Sequence, residues 1–300
     1  MRLLTYERER NPRLGLLVQD RVLDAADAGA ALGVVLPESM LAFIAEGDPA
    51  LAGARRLVDA ASSDPGVLQR SSVALAEARL LAPIPRPARN IVCVGLNYAE
   101  HAAESAVTEG LPEDPVYFTK PPTTVIGPDA AIPWHGHVST RVDWEVELVV
   151  VIGTAGCDIT EGRALDHVFG YTVGNDITAR DLQRRHQQWY KGKGLDGYCP
   201  LGPWIVTRDE LPDPQDVHLR LSVNGEPKQD ARTSDMIFGV ARLIATLSLG
   251  MTLEPGDLLM TGTPSGVGFA RKPPEYLQPG DQIEAEIDGI GVLRNVVAAA

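Results

Sequence analysis

Asp143, Glu145 and Glu147 alternate along Asp143-Trp144-Glu145-Val146-Glu147-Leu148-Val149-Val150-Val151-Ile152, a segment with the length and β-branched content of a buried strand. In an extended chain alternate residues share a face, so the three acids project together and Val149 and Val151 continue their side. Acids buried in that way repel and need a proton or a cation between them, whereas acids on a solvated face need neither. The pattern alone permits both. A second apolar run, Phe169-Gly170-Tyr171-Thr172-Val173-Gly174-Asn175, ends in Asp176, where a helix should begin. Asp176 either caps that helix or joins Glu145 and Glu147 in the all-oxygen ligand set that Mg²⁺ or Mn²⁺ selects.

His101 and Glu104 stand three apart in Asn97-Tyr98-Ala99-Glu100-His101-Ala102-Ala103-Glu104, close enough on one helical face to hydrogen-bond. A carboxylate against an imidazole fixes its tautomer and raises its basicity, which suits water activation or proton transfer near neutral pH. An exposed pair on a surface helix reads the same way in sequence. Lys193 sits in Lys191-Gly192-Lys193-Gly194-Leu195-Asp196, either a glycine-rich ligand loop or a flexible surface loop. Thr261-Gly262-Thr263-Pro264-Ser265-Gly266-Val267-Gly268 follows a strand and offers amides and hydroxyls for a carboxylate, though a tight turn needs similar glycines. Between Asp176 and Asp196 the residues Arg180, Arg184, Arg185, Lys191 and Lys193 outnumber the acids, which suits a small anionic ligand or a solvated helix face.

These residues need elements to hold them. From residue 90 onward short apolar strands dominate, at 91–95, 116–119, 145–152, 170–174, 204–207, 219–223, 257–261 and 282–287, with helices predicted at 97–104, 178–188 and 234–248. The balance predicts a strand-rich α+β fold rather than a regular βαβ winding. Residues 1–82 read as a small α+β domain, with strands at 3–7, 14–19 and 21–24 and helices at 39–46 and 50–62. Pro83, Pro85 and Pro87 then form an extended connector into a larger second domain at 83–300.

The bulk numbers exclude several functions. A net charge of -13 repels nucleic acid and anionic lipid, so neither nucleic acid nor membrane is an expected partner. Met1 leads straight into a charged segment, and no apolar run has the length of a membrane span. The three cysteines, Cys93, Cys157 and Cys199, lie far apart and form no CxxC pair, which fits a reducing, cytoplasmic compartment. Neither GxGxxG after a strand nor GxxxxGK[ST] occurs, so nucleotide-cofactor chemistry has no support.

Taken in order, Val94-Gly95-Leu96-Asn97-Tyr98 with His101 and Glu104, Phe118-Thr119-Lys120-Pro121, Glu145-Val146-Glu147, Asn175-Asp176-Ile177-Thr178-Ala179-Arg180-Asp181-Leu182-Gln183, Lys193-Gly194-Leu195-Asp196, Val223-Asn224-Gly225-Glu226 and the Thr261–Gly268 segment resemble the fumarylacetoacetate hydrolase family over residues 90–297. The first 82 residues look like those of two-domain bacterial members, some of which are oxaloacetate decarboxylases or acylpyruvate hydrolases. The resemblance implies a C-terminal mixed β-sandwich roll, a homodimer, and Mg²⁺ or Mn²⁺ on Glu145, Glu147 and Asp176. It further implies a mobile lid bearing the catalytic His101 and Glu104, with Lys193 beside them, and Arg180, Gln183 and Thr263 binding a small anionic 2-oxo acid. Gly194 departs from the serine of many members. The implied reaction is cleavage of a carbon–carbon bond through an enolate, by acylpyruvate-type hydrolysis or oxaloacetate decarboxylation. Double-bond isomerisation of a hydroxy-diene-dioate, or silent binding of a dicarboxylate, are the other readings.

Overall fold

The computed structural model describes residues 1–105 and 111–299. Among them a twelve-stranded sheet follows the main path Ser72–Ala74, Arg21–Asp24, Asn11–Val18, Arg2–Arg8, Cys199–Thr207, Val168–Asn175, Val146–Ile152, Leu258–Met260, Ile91–Gly95 and Val116–Lys120. Most pairs are antiparallel, but Leu258–Met260 runs parallel to Ile91–Gly95. A five-stranded sheet runs Glu226–Arg232, His218–Val223, Gln282–Ile287, Gly291–Ala299 and Ala131–Trp134, with its last pair parallel. The sheets pack face to face over Leu148, Val150, Val173, Leu219, Leu221 and Ile283. The fold is strand-rich α+β with mixed sheets, as the residue pattern predicts.

Val146–Ile152 is buried along its whole length. Val146, Leu148 and Val150 face the second sheet, while Val149 and Val151 face Leu201, Ile205 and Met260 on the other side. A strand covered on both faces must be apolar nearly throughout, and each such side chain contributes roughly 1.5–3 kcal/mol on burial. That cost structure makes Glu147 conspicuous.

The first 82 residues fold as strands and the helices Ala25–Leu32, Met40–Glu46, Asp48–Ser63 and Pro65–Arg70. Asp24 starts the first of these helices by accepting the N–H groups of Ala26 and Asp27. Asp48–Ser63 buries Ala50, Ala54, Leu57 and Ala61, the spacing of one helical face. Arg2–Arg8 pairs with Cys199–Thr207 through Arg2↔Val206 and Leu3↔Ile205, so residues 1–82 and 83–300 share one sheet. One core runs through Leu16, Phe43, Val151 and Ile205.

Local boundaries shift where side chains intercept the backbone. The acidic strand starts at Val146, because the Glu145 N–H donates to Asn175 Oδ1 at 2.9 Å and leaves the ladder. Val142–Asp143 pairs instead with Thr178–Ala179, which removes those residues from the helix expected at 178–188 and leaves Arg180–Arg185. The helix expected from 234 begins at Val240, since Ile237 and Phe238 donate their N–H groups to Asn97. No helix among the described residues is long and apolar enough to cross a membrane.

Candidate metal and substrate site

Sheet register gathers the acids. Val146 lies opposite Asn175, so the start of one strand meets the end of its neighbour, and the Asp176 N–H donates to Glu145 O at 2.8 Å. Because Leu258–Met260 and Ile91–Gly95 are parallel, Thr261–Gly262 and Leu96–Asn97 leave the sheet on that same edge. Asn97 joins them, donating to Thr261 O at 2.8 Å and accepting from Phe238 N. Gly262 has φ +97, and a Cβ there would stand 2.8 Å from Asn97 Cβ, so this crossing requires glycine.

Glu145, Glu147 and Asp176 each offer an oxygen within 4.8 Å of the others, and all three are buried. Asp143 is buried as well, with 0% exposure. The solvated-face reading therefore fails, and so does the helix cap, since Asp176 binds Lys120 and Lys193. Lys193 Nζ lies 2.7 Å from both Glu145 Oε2 and Asp176 Oδ2, and Arg180 reaches Glu145 Oε1 at 2.6 Å. Burial opposes charge on Glu145, but Lys193, Arg180 and His101 outweigh it and hold its carboxyl down at about 2. Glu147 has weaker support, since Lys193 acts on it only from a distance. It accepts one hydrogen bond, from Gly262 N at 2.8 Å, and makes no ion pair among the described residues. Burial, then Asp176 and Glu145, push its carboxyl well above the usual range.

Three hard oxygen donors, one of them short of positive charge, fit a divalent Mg²⁺ or Mn²⁺. The donor set excludes soft-metal preference: among the described residues no cysteine joins it, and Cys93 and Cys199 are free thiols elsewhere in the core.

His101 is buried, not on an open surface, and its Nδ1 lies 2.9 Å from Glu104 Oε1. Glu104 also accepts the Gly266 N–H at 3.2 Å, and Glu100 accepts the Ser265 hydroxyl, so helix Ala99–Ser105 is tied to the loop after Leu258–Met260. With Glu104 at Nδ1, Nε2 is the basic nitrogen. Lys193 lies on the helical turn Tyr190–Lys193 and is 2% exposed, not in a flexible loop.

One cleft is lined by His101, Glu145, Glu147, Arg180, Gln183, Lys193 and Thr263 together. Glu104 and Asp176 stand behind it. The Thr263 hydroxyl is engaged, donating to Val146 O and accepting from Gln229 Nε2. Gln183 Oε1 accepts from Arg180, leaving its amide N–H groups for a ligand.

Residues the sequence did not assign complete the site. Lys120, with 0% exposure, donates to Asp176 and to Ile177 O; a lysine closing an apolar strand before Pro121-Pro122 was the available signal. Asp143 accepts from Arg180 Nε, Gly268 N and Phe269 N, and so ties cation and loop together. Trp189 holds a positive φ of 58 with its ring against Gly95, where a Cβ would meet it at 2.3 Å. A bulky residue in that conformation costs of order 1–3 kcal/mol and marks a wall held by its surroundings.

The sequence profile of the fumarylacetoacetate (FAA) hydrolase C-terminal family matches residues 90–298. Oxaloacetate tautomerase YisK of Bacillus subtilis (strain 168) is 44% identical, covering 99% of this chain and 100% of that protein. The solved structure of a fumarylacetoacetate hydrolase (EaFAH) from psychrophilic Exiguobacterium antarcticum is 40% identical, with a TM-score of 0.83 and 100% of each chain covered. Maleylpyruvate hydrolase from Sphingobium sp. SYK-6, solved in complex with manganese(II) and pyruvate, is 30% identical, with a TM-score of 0.78 and 100% of each chain covered.

Proposed function

The chain belongs to the fumarylacetoacetate hydrolase family, and on that premise we propose that it is a divalent-metal-dependent enzyme that enolises a small 2-oxo acid, with keto–enol exchange of oxaloacetate as its reaction. The observation that carries the reading is the buried trio Glu145, Glu147 and Asp176 beside a His101–Glu104 pair in one cleft. Glu145, Glu147 and Asp176 would hold Mg²⁺ or Mn²⁺, which would supply Lewis-acid stabilisation of the negative charge that develops on enolisation.

The protein's own groups supply the rest. His101 Nε2 takes a proton from C3 and returns it to the 2-oxo oxygen, so one C–H bond breaks and one O–H bond forms with no net change in composition. Glu104 stabilises the transient imidazolium. Lys193 uses two of its three N–H donors on Glu145 and Asp176, and the third is available to the 2-oxo oxygen. Gln183 and the Thr261–Gly268 loop orient the substrate carboxylate. The reading takes the working unit as a homodimer in the cytoplasm.

A second reading keeps the same enolate and adds carbon–carbon cleavage, by acylpyruvate-type hydrolysis or loss of CO₂ from oxaloacetate. The likeness to maleylpyruvate hydrolase favours it, and His101 would then activate water. The deciding assay gives the protein oxaloacetate with Mg²⁺ or Mn²⁺ and follows enol absorbance and pyruvate release together. Enol decay without pyruvate is expected; pyruvate formed in step with it would favour cleavage, and no acceleration of either would remove both readings.

A further inference from the structure

The other cations around the cleft are engaged: Arg180 with Asp143 and Glu145, Lys193 with Glu145 and Asp176, Lys120 with Asp176. Arg184 is not. It lies one helical turn beyond Arg180, lines the same cleft, is exposed, and makes no ion pair among the described residues. Its guanidinium carbon stands 5.6 Å from the centre of the Phe269 ring, and Arg180 stands 4.4 Å from the same ring. Asp143 fixes Phe269 by accepting its N–H and that of Gly268. Stacking of this kind orients a guanidinium while leaving its N–H fork open to a carboxylate.

We propose that Arg184 is the specificity-determining residue of the cleft, binding the substrate carboxylate remote from the 2-oxo acid end and so selecting 2-oxo dicarboxylates over monocarboxylates. The proposal rests on the enolisation reading for the orientation of the substrate. A dianion approaching a chain of net charge -13 is repelled over most of the surface, and a local cation at the cleft mouth reverses that field where it matters. Arg180 differs in that its charge is already set against two buried carboxylates, Asp143 and Glu145.

The test is calorimetric binding of L-malate and 2-hydroxybutyrate to Mg²⁺-loaded protein. These inert acids have equal chain length and differ in the remote carboxylate. Wild type is expected to prefer malate. Arg184→Gln should weaken malate by about 10- to 100-fold, the loss of a charge-assisted pair, and leave 2-hydroxybutyrate little changed. Arg185→Gln, a neighbouring exposed charge outside the cleft lining, should leave both little changed. Equal weakening of both acids, no weakening, the same loss in Arg185→Gln, or a wild type without preference for malate would each overturn the assignment. Oxaloacetate enolisation is assayed separately: its absence beside an intact, Arg184-dependent malate preference would refute the functional reading and support Arg184.

Discussion

At the scale of residues, the site is a conflict of charges arranged around Glu147. Glu145 has Arg180 and Lys193, Asp176 has Lys120 and Lys193, and Glu147 has a single amide. Glu147→Gln keeps the Gly262 hydrogen bond and removes the cost of holding an ionisable carboxyl buried beside Glu145 and Asp176. Its metal-free form is expected to melt about 2–6 °C higher than wild type, from a gain of about 1–3 kcal/mol. The same variant should lose the rise in Tm that Mn²⁺ gives wild type, and differential scanning calorimetry with and without Mn²⁺ reads both effects. His101→Ala should cost about 10²- to 10⁴-fold in kcat for oxaloacetate enolisation while leaving Mn²⁺ binding intact, measured by stopped-flow enol absorbance and calorimetry. Weakened metal binding in that variant would count against a proton-transfer role. The acids were legible because a carboxylate inside a Val-rich strand contradicts its surroundings. Lys120 was not, since a lysine at a strand end reads as solvated, and the partners of Asp143 lie at Gly268 and Phe269, far along the chain.

At the scale of elements, strands with β-branched or alternating sequences were legible, including Ile91–Gly95 and Gln282–Ile287. Glu226–Arg232 was not, because an edge strand rich in charge has no apolar face to announce it. Helix limits failed where tertiary hydrogen bonds overrode local pattern, as at Thr178 and at Asn97. The switch from strand to helix at Asp24 offers a direct test. Asp24 accepts from Tyr6 and Arg13 as well as capping Ala25–Leu32. Burial alone would raise its pKa, but the hydrogen bonds from Arg13, Tyr6 and the Asp27 N–H outweigh it and hold the carboxyl below its usual value of 3.8. A lowered folded-state pKa means stability present above the unfolded value and lost as pH falls through the folded one. Asp24→Ala is expected to cost about 3–5 kcal/mol at pH 7. In urea titrations that gap should stay full above about pH 5 and close as the pH drops below the unfolded value. A gap independent of pH would deny the charge its role.

At the scale of the whole molecule, the long sheet explains how a site assembles from residues as distant as His101 and Thr263. Antiparallel register brings Glu145 beside Asp176, and the parallel pair brings the chain before His101 beside the chain before Thr263, all at one edge. The N-terminal strands extend that sheet at the far side of Cys199–Thr207, so the first 82 residues brace the sheet away from the cleft. Everything proposed for the chemistry depends on a divalent ion at the three acids. Calorimetric titration of Mn²⁺ into metal-free protein tests this most directly, in wild type and in the Glu145→Gln and Asp176→Asn variants. One ion per chain in wild type, with affinity lowered by about 100-fold or more in either variant, is the expected result. Binding unchanged by both substitutions, or no binding to wild type, would contradict the account.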